Sequence, residues 1–389
     1  MEQKPIDIVI VGAGAAGLMT AIWAGRTAEA QRTPLQILLL DTRQEIGAKI
    51  LMSGGTRCNV THKKVNPSDF QGGPSHFIKH VLEAFTPEET IHFFKEIGVD
   101  LVLEPTGKYF PATHSAETVL DSLLKEAARA GVILKTGVKI SEAKKTGDLF
   151  EIKNSDGTYQ ILARKIVLTT GGLSYPDTGS DGTGYGIAKS LGHTVLKTFP
   201  ALTPLLTDDP DWKLLSGITL QVQLAFYKNG KKIWEGTDSF LFTHFGFSGP
   251  AALNISRHFA GARPEENPKI MANFLPGTAE KSSLPERFLE TFMKKVRMGK
   301  NENPKRLNHL LSNYPLEVTG VFGYKKAEAT AGGVNLKEVK VSTMESKLME
   351  GLYLAGEILD VDGRIGGFNF QWAWSTGAVA GRSAAQSLL

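Results

Sequence analysis

The chain has 389 residues, of which 41% are hydrophobic and 22% charged, a globular composition that excludes a disordered polymer. Lysine and arginine number 44 against 40 acidic residues, and the resulting charge of +4 is too small and too dispersed to indicate nucleic acid or a lipid surface. The single cysteine, Cys58, excludes an internal disulfide and a cysteine-based metal cluster, and it fits a reducing cytoplasm.

The first element is a β-branched run, Ile6–Val11, of the kind buried in parallel sheets. It meets Gly12-Ala13-Gly14-Ala15-Ala16-Gly17, after which small residues carry a helix to about Ala28. Glu2, Asp7 and the glycine cluster argue against a targeting segment over Ile6–Ala24, and no apolar run reaches the ~18 residues of a membrane helix. A second buried strand, Gln36–Leu40, ends at Asp41, 24 positions after Gly17. Together these make a βαβ unit with the G-x-G-x-x-G fingerprint of nucleotide binding. Gly12 supplies the tight turn, Gly14 the approach of backbone to a pyrophosphate, and Gly17 the close packing of helix on strand. Asp41 is placed to accept from an adenosine ribose; its simpler role is to cap the turn that follows.

Lys49–Asn59, rich in glycine and polar side chains, reads as a loop that wraps a pyrophosphate, the alternative being a surface Ω-loop. Within it Arg57 is either a ligand contact or a solvated charge, and Cys58 either a small buried residue or a reactive thiol. Thr86-Pro87-Glu88-Glu89 is a capping box whose helix ends at Gly98; Ser115 caps a helix striped by Val119, Leu120, Leu123, Leu124 and Ala127 and closed by Gly131. Val132–Lys135 reads as a third strand. Three short strands then follow, Val138–Ala143, Leu149–Lys153 and Tyr159–Leu162, before a fourth parallel strand at Lys165–Thr169. Such a β-meander is usual in FAD-binding folds, where NAD dehydrogenases place a helix.

Thr169-Thr170-Gly171-Gly172 closes that fourth strand, where ligands sit in open α/β sheets. Gly182, Gly184 and Gly186 follow no buried strand and read as packing for a helix over about Thr183–Leu191. Leu202–Phe247 alternates in the antiparallel manner, with a turn at Asn229-Gly230. Ser283–Val296 and Asn303–Ser312 read as capped helices with proline in the first turn, joined by a basic connection over Lys294–Lys305. The sequence then returns to a buried strand, Leu352–Ala355, followed by Gly356-Glu357, and to a small-residue helix from about Asn369 opened by Gly366-Gly367-Phe368. A helix start at that point would stabilise the negative charge of a reduced flavin; its simpler reading is a loop-to-helix junction, which also favours glycine. His244, among phenylalanines, is the histidine best suited to proton transfer, against the ordinary reading of a hydrogen-bonded structural residue. Nothing matches HExxH or a P-loop, so metalloprotease and kinase readings fall away and no metal site is expected.

The segments Gly12–Gly17, Ser53–Asn59, Tyr175–Gly179, Thr243–Pro250, Thr330–Val334 and Leu354–Asn369 together resemble the bacterial FAD-binding family of aminoacetone oxidase-like or BaiN-type flavoproteins, which are NAD(P)/FAD-dependent oxidoreductases. The likeness runs over essentially the whole chain. It implies an α/β architecture: an FAD-binding Rossmann-like domain of the glutathione-reductase type over 1–195 and 326–389, an inserted β-barrel-like domain over 196–282 and 314–325, and a small helical subdomain over 283–313. It also implies noncovalent FAD, with NAD(P)H as a transient co-substrate. By carry-over, the cofactor contacts are Gly12, Gly14, Gly17, Asp41, Lys49, Arg57, Asn59, Gly171, Glu357, Gly367 and Asn369, completed by Ala15, Ala16, Gly54, Cys58, Val138, Thr170, Gly356 and Phe368. The chain departs from the family pattern at Asp41, where glutamate is common, and at Thr56, where glycine is.

The function expected is that of a cytoplasmic FAD-dependent oxidoreductase. It would pass hydride between flavin N5 and a small organic substrate of the amine or unsaturated-ketone type. No nucleic-acid or membrane partner is expected. The alternatives are a flavin-dependent RNA-associated protein, suggested by the lysines of 294–305 but lacking interleaved aromatic residues there, and a flavin-binding protein without turnover.

Overall fold

The computed structural model describes residues 4–299 and 303–389. The chain divides into two compact units, Met1–Thr198 with Thr330–Leu389, and Phe199–Ala329. Among the described residues no helix is long and apolar enough to cross a membrane.

The first unit is built on a sheet whose parallel strands stand in the order Val132–Lys135, Ile37–Leu40 (β2), Ile6–Val11 (β1), Gln160–Leu168 and Leu352–Leu354. In chain order that is 3-2-1-4-5, the doubly wound arrangement in which a ligand crevice opens where the order reverses, beside β1. Side chains of β1 and β2 are buried on both faces, as their unbroken Ile/Leu/Val runs require. The meander is present as Ile140–Thr146, Leu149–Asn154 and the first half of Gln160–Leu168. Two strands were expected over Tyr159–Thr169; one continuous strand is found. Gln160–Ala163 pairs antiparallel with Phe150–Lys153, then Ala163–Leu168 pairs parallel with β1. Alternating burial gives way to the fully buried Ile166–Leu168, so the change of pattern marks a change of partner rather than a turn.

The expected loop over Lys49–Asn59 is also corrected. Ala48–Thr56 (α2) is helical as far as Met52, because Ala-Lys-Ile-Leu-Met are good helix formers. Ser53 leaves the helix with ψ 148°, and Gly54, Gly55 and Thr56 follow with φ of 58°, 68° and 66°. The caps read from sequence form: Thr86 Oγ1 accepts from the Glu89 N–H while Glu89 accepts from the Thr86 N–H, and Ser115 Oγ accepts from the Glu117 N–H.

The second unit carries a seven-stranded antiparallel sheet in the order Tyr314–Leu316, Lys269–Asn273, Thr219–Lys228, Lys231–Thr243, Gly246–Ser248, Leu205–Leu206, Gly320–Val321. Its two edge strands are separated by residues 317–319 alone. Four residue steps span at most ~14 Å, whereas the edges of seven flat strands would stand ~29 Å apart. The sheet therefore curls toward closure and is barrel-like. Its core is centred on Trp212, fully buried among Phe242, Phe247, Phe274, Phe288, Phe292 and Tyr314. Phe288 and Phe292 come from the helix Glu286–Lys295, which starts three residues later than expected because Lys281–Ser283 forms a separate 3-10 turn and Pro285 occupies the cap. Asn303 caps the next helix, Pro304–Ser312, through the Lys305 N–H. Of the basic connection expected over Lys294–Lys305, positions 300–302 lie outside the described residues.

Candidate active site

At the end of β1, Gly12 turns with φ +107°, and a Cβ there would lie 2.6 Å from the Thr169 carbonyl oxygen. A Cβ on Gly17 would lie 1.8 Å from the Gly12 carbonyl oxygen, so only glycine lets the helix Ala15–Ala30 (α1) descend onto the turn. Gly14 is different. It is the extended N-cap of α1, and a Cβ built on it meets nothing within 4 Å. The first turn of α1 holds no acid and no side-chain cap, which leaves its amide dipoles to an anion. Asp41 closes this turn: Oδ2 accepts from the Ala13 N–H at 2.7 Å and Oδ1 from the Arg43 N–H at 2.8 Å. Both the turn-capping role and a share in the glycine loop are thus realised, and each oxygen keeps acceptor capacity for a hydroxyl. The Val138 N–H donates to the Asp41 carbonyl at 2.8 Å, so this backbone donor serves the crossover itself.

The C-terminal helix, Phe368–Gln386, lies along α1. Cβ atoms on Gly377 and Gly381 would come within 2.7 Å of the Ala16 carbonyl oxygen and 2.2 Å of that of Thr20. The two contacts advance together along both chains, so the helices are parallel and their N-termini point the same way. In that register Phe368 begins eight residues ahead of Ala15, a stagger of about 12 Å. Gly356 adjoins α1 as well, since a Cβ on it would sit 2.7 Å from that of Ala16.

The start of the C-terminal helix is tight. Gly367, the N-cap with φ +93°, has Asn59 Oδ1 and the Thr61 carbonyl 2.8 Å from where a Cβ would be. The Asn369 amide is spent on Gly363, accepting from its N–H at 2.8 Å and donating to its carbonyl at 2.9 Å. Phe368 is buried, its ring stacked on His62 at 4.9 Å and beneath the Arg364 guanidinium at 4.2 Å. Two buried polar atoms here lack a partner among the described residues, Asn59 Oδ1 and Thr170 Oγ1.

Beside Gly356 lies a group that only part of the sequence reading reached. Lys49 Nζ donates to Ser174 Oγ at 2.7 Å and pairs with Glu357 Oε2. The Ser174 hydroxyl and the Thr330 N–H (2.9 Å) both donate to Glu357 Oε1. Thr330 Oγ1 in turn accepts from the Leu173 and Ser174 N–H groups at 2.8 and 3.1 Å. Ser174 and Thr330 are fully buried and were not among the expected site residues; Thr330 opens a segment that carried the family resemblance, and Ser174 immediately precedes another, Tyr175–Gly179. Gly171, with φ +72°, has Ser180 Oγ 2.7 Å from its Cβ position.

Other expected contacts are engaged within the protein. Arg57 pairs with Glu104 at 2.6 Å and stacks over Phe110 at 4.1 Å. Cys58 is fully buried at φ +60°, and burial pushes its thiol up to about 12, against a smaller lowering by Ser53. At neutral pH it holds no thiolate, which removes the reading as a reactive thiol. His244, in the second unit, is exposed on the turn after Lys231–Thr243 and meets Phe245 edge-on at 4.9 Å.

The residues fit an FAD: bare helix-start amides at Gly14, an acidic group at the end of β2, a second helix start displaced along a parallel axis, and unpartnered polar atoms at Asn59 and Thr170. These features define an FAD-dependent oxidoreductase. The chain belongs to the HI0933-like family, whose Rossmann-domain description matches residues 6–383. It is 33% identical over 414 aligned positions to a 3-dehydro-bile acid delta(4,6)-reductase of Clostridium scindens, covering 97% of this chain and 99% of that protein. It is 32% identical to the ribosomal RNA dihydrouridine synthases of Escherichia coli, covering 96% of each chain, and of Haemophilus influenzae, covering 95% and 96%. Among solved structures, a 3-ketosteroid-delta4-(5alpha)-dehydrogenase of Rhodococcus jostii shares the fold with a TM-score of 0.53 at 15% identity, covering 98% of this chain and 97% of that one.

Proposed function

We propose that this protein reduces a carbon–carbon double bond conjugated to a carbonyl. The observation that carries the reading is a chemistry common to two relatives with different substrates. A 3-dehydro bile acid unsaturated at position 4 holds its alkene in conjugation with the C3 ketone, and uridine becomes dihydrouridine by saturation of C5=C6, conjugated to the C4 carbonyl. In both, the β-carbon accepts hydride, the carbonyl oxygen takes up the electron pair, and a proton completes the α-carbon. When bound, FAD in its reduced form would supply the hydride, and NAD(P)H would be the two-electron donor that restores that form.

The residues divide the remaining work. The α1 start and Gly14 hold the pyrophosphate, and Asp41 holds the ribose. Asn59 Oδ1 would be an acceptor available to the flavin ring, and the C-terminal helix start would offset the negative charge of a reduced ring. Lys49, Ser174 and Glu357 fix the two ends of the unit to one another.

Anaerobic mixing tests the reading. The reduced holoenzyme is offered a 4-en-3-one steroid and uridine, and the oxidised holoenzyme is offered a panel of amines. Return of the oxidised flavin bands with either conjugated acceptor is the expected result. Bleaching by amines, with no reoxidation by conjugated acceptors, overturns it.

A further inference from the structure

The charge of the chain is not shared evenly. The second unit holds 17 lysines and arginines against 13 aspartates and glutamates, whereas the first is balanced at 27 and 27, so the whole excess of +4 falls on Phe199–Ala329. That unit also presents aromatic rings to solvent. The turn from Thr243 to Gly246, closed by the Gly246 N–H donating to Thr243 Oγ1 at 3.1 Å, lifts His244 and Phe245 off the sheet. Two strands away, Phe322 follows Gly320–Val321 and is anchored by its N–H donating to the Pro204 carbonyl at 2.9 Å. Phe322 meets Phe245 edge-on at 5.3 Å, and His244 meets Phe245 at 4.9 Å, so three rings stand in a row with Phe322 38% exposed. Lys325 and Lys326 follow on a 3-10 turn, exposed and without an ion-pair partner among the described residues. Two exposed acids adjoin this face: Asp208, which follows Thr207, whose N–H donates to the Phe245 carbonyl at 3.3 Å, and Glu328, two residues after Lys326.

We infer that His244, Phe245 and Phe322, rimmed by Lys325 and Lys326, form a surface on which unpaired bases of single-stranded RNA stack. Exposed rings beside unpaired lysines are the two elements of such surfaces: the π-face accepts any base, and the cations track the backbone. A small apolar molecule would instead call for a concave site that buries most of its surface, and this row of rings stands on an outward turn. The interleaving of aromatic and basic residues missing from 294–305 is thus assembled from two segments some 77 positions apart, at 244–245 and 322–326. The inference rests on the proposed reduction, because an unpaired uracil is a conjugated carbonyl acceptor.

The test is fluorescence anisotropy of the full-length holoenzyme with a labelled twelve-residue oligouridine at several salt concentrations. The wild type binds with a salt-dependent affinity. Phe322→Ala weakens binding by about five- to a hundredfold, the range for removing one stacked base. Lys325→Glu combined with Lys326→Glu flattens the logarithmic salt slope by about 1.4, the value for two phosphate contacts on a single strand. FAD content is unchanged in both variants. Loss of oligouridine affinity in neither variant, or tighter binding of duplex RNA than of the single strand, overturns the surface. Absent binding together with intact reduction of the steroid enone removes the surface and leaves the proposed reaction standing. Binding that responds to both variants, with no conjugated acceptor reduced, retains the surface and removes the reaction.

Discussion

Gly14 and Gly367 occupy the same position in two parallel helices, and each is the N-cap. A Cβ on Gly14 would enter open space, while a Cβ on Gly367 would meet Asn59 and Thr61 at 2.8 Å. Gly367 is therefore required by what the protein already holds, and Gly14 is under no such demand. In the proposed reading the same residue type at the same helical position serves folding in one case and the approach of a pyrophosphate in the other.

Alanine substitutions break or sharpen this contrast. Gly17→Ala has the largest expected effect, because its Cβ would sit 1.8 Å from backbone that cannot move aside. We expect a loss of about 4 kcal/mol or more, seen as failure to accumulate folded protein. Gly367→Ala adds a left-handed φ to a clash and should cost about 2–4 kcal/mol in denaturant unfolding. Gly14→Ala should leave unfolding nearly unchanged yet raise the FAD dissociation constant about tenfold, ~1.4 kcal/mol. The contrast fails if Gly14→Ala unfolds as readily as Gly367→Ala, or binds FAD with undiminished affinity.

Cys58 reports on the same place, one residue from Asn59. Its thiol ionises near 9.0 when unfolded and is pushed up to about 12 when folded. The folded state binds the proton more tightly, so this contribution is complete below pH 9 and is lost as the pH rises toward 12, roughly 4 kcal/mol over that window. At pH 8 a thiol reagent should modify the wild type and Gly14→Ala only through unfolding, and Gly367→Ala much faster. Equal rates in all three would place the packing defect elsewhere.

Lys49→Met leaves Glu357 with the Ser174 and Thr330 donors alone. Both members of the pair are partly exposed, at 27% and 19% of the side chain, so the expected loss is modest, about 1–2 kcal/mol, with weaker FAD retention on gel filtration. The smallest change is Thr56→Gly. Thr56 sits at φ +66°, and relief of that strain outweighs the added freedom of the unfolded chain by ~0.5 kcal/mol, a rise of a degree or two in the melting temperature. A fall in melting temperature would mean that the Thr56 side chain contributes more than its backbone costs.

The sequence reading succeeds where the determining interactions are local. The β1–α1–β2 unit follows from a β-branched run, three glycines and an acid, and the Thr86 and Ser115 caps bond to amides two or three residues away. It fails where a residue's partner is remote. Ser174 and Thr330 are 156 positions apart, and nothing near either foretells their meeting at Glu357. Arg57 stood open between a ligand contact and a solvated charge because Glu104, 47 positions on, carries no local signal. The α2 segment misleads in another way: its glycines suggest a loop, while the helix formers before them had already set the backbone as far as Met52.

The fifth parallel strand has a consequence for how the molecule comes into being. Val167 pairs with Tyr353, 186 positions later, and the intervening stretch contains the whole of Phe199–Ala329. During synthesis the glycine turn emerges early, but the helix that flanks α1 emerges only with residues 368–386. The apolar face of α1 must therefore wait, uncovered, until translation is almost complete. An interruption between positions 330 and 367 would strand a nascent chain whose barrel-like unit is fully encoded while its nucleotide fold stays open, a form open to aggregation and proteolysis.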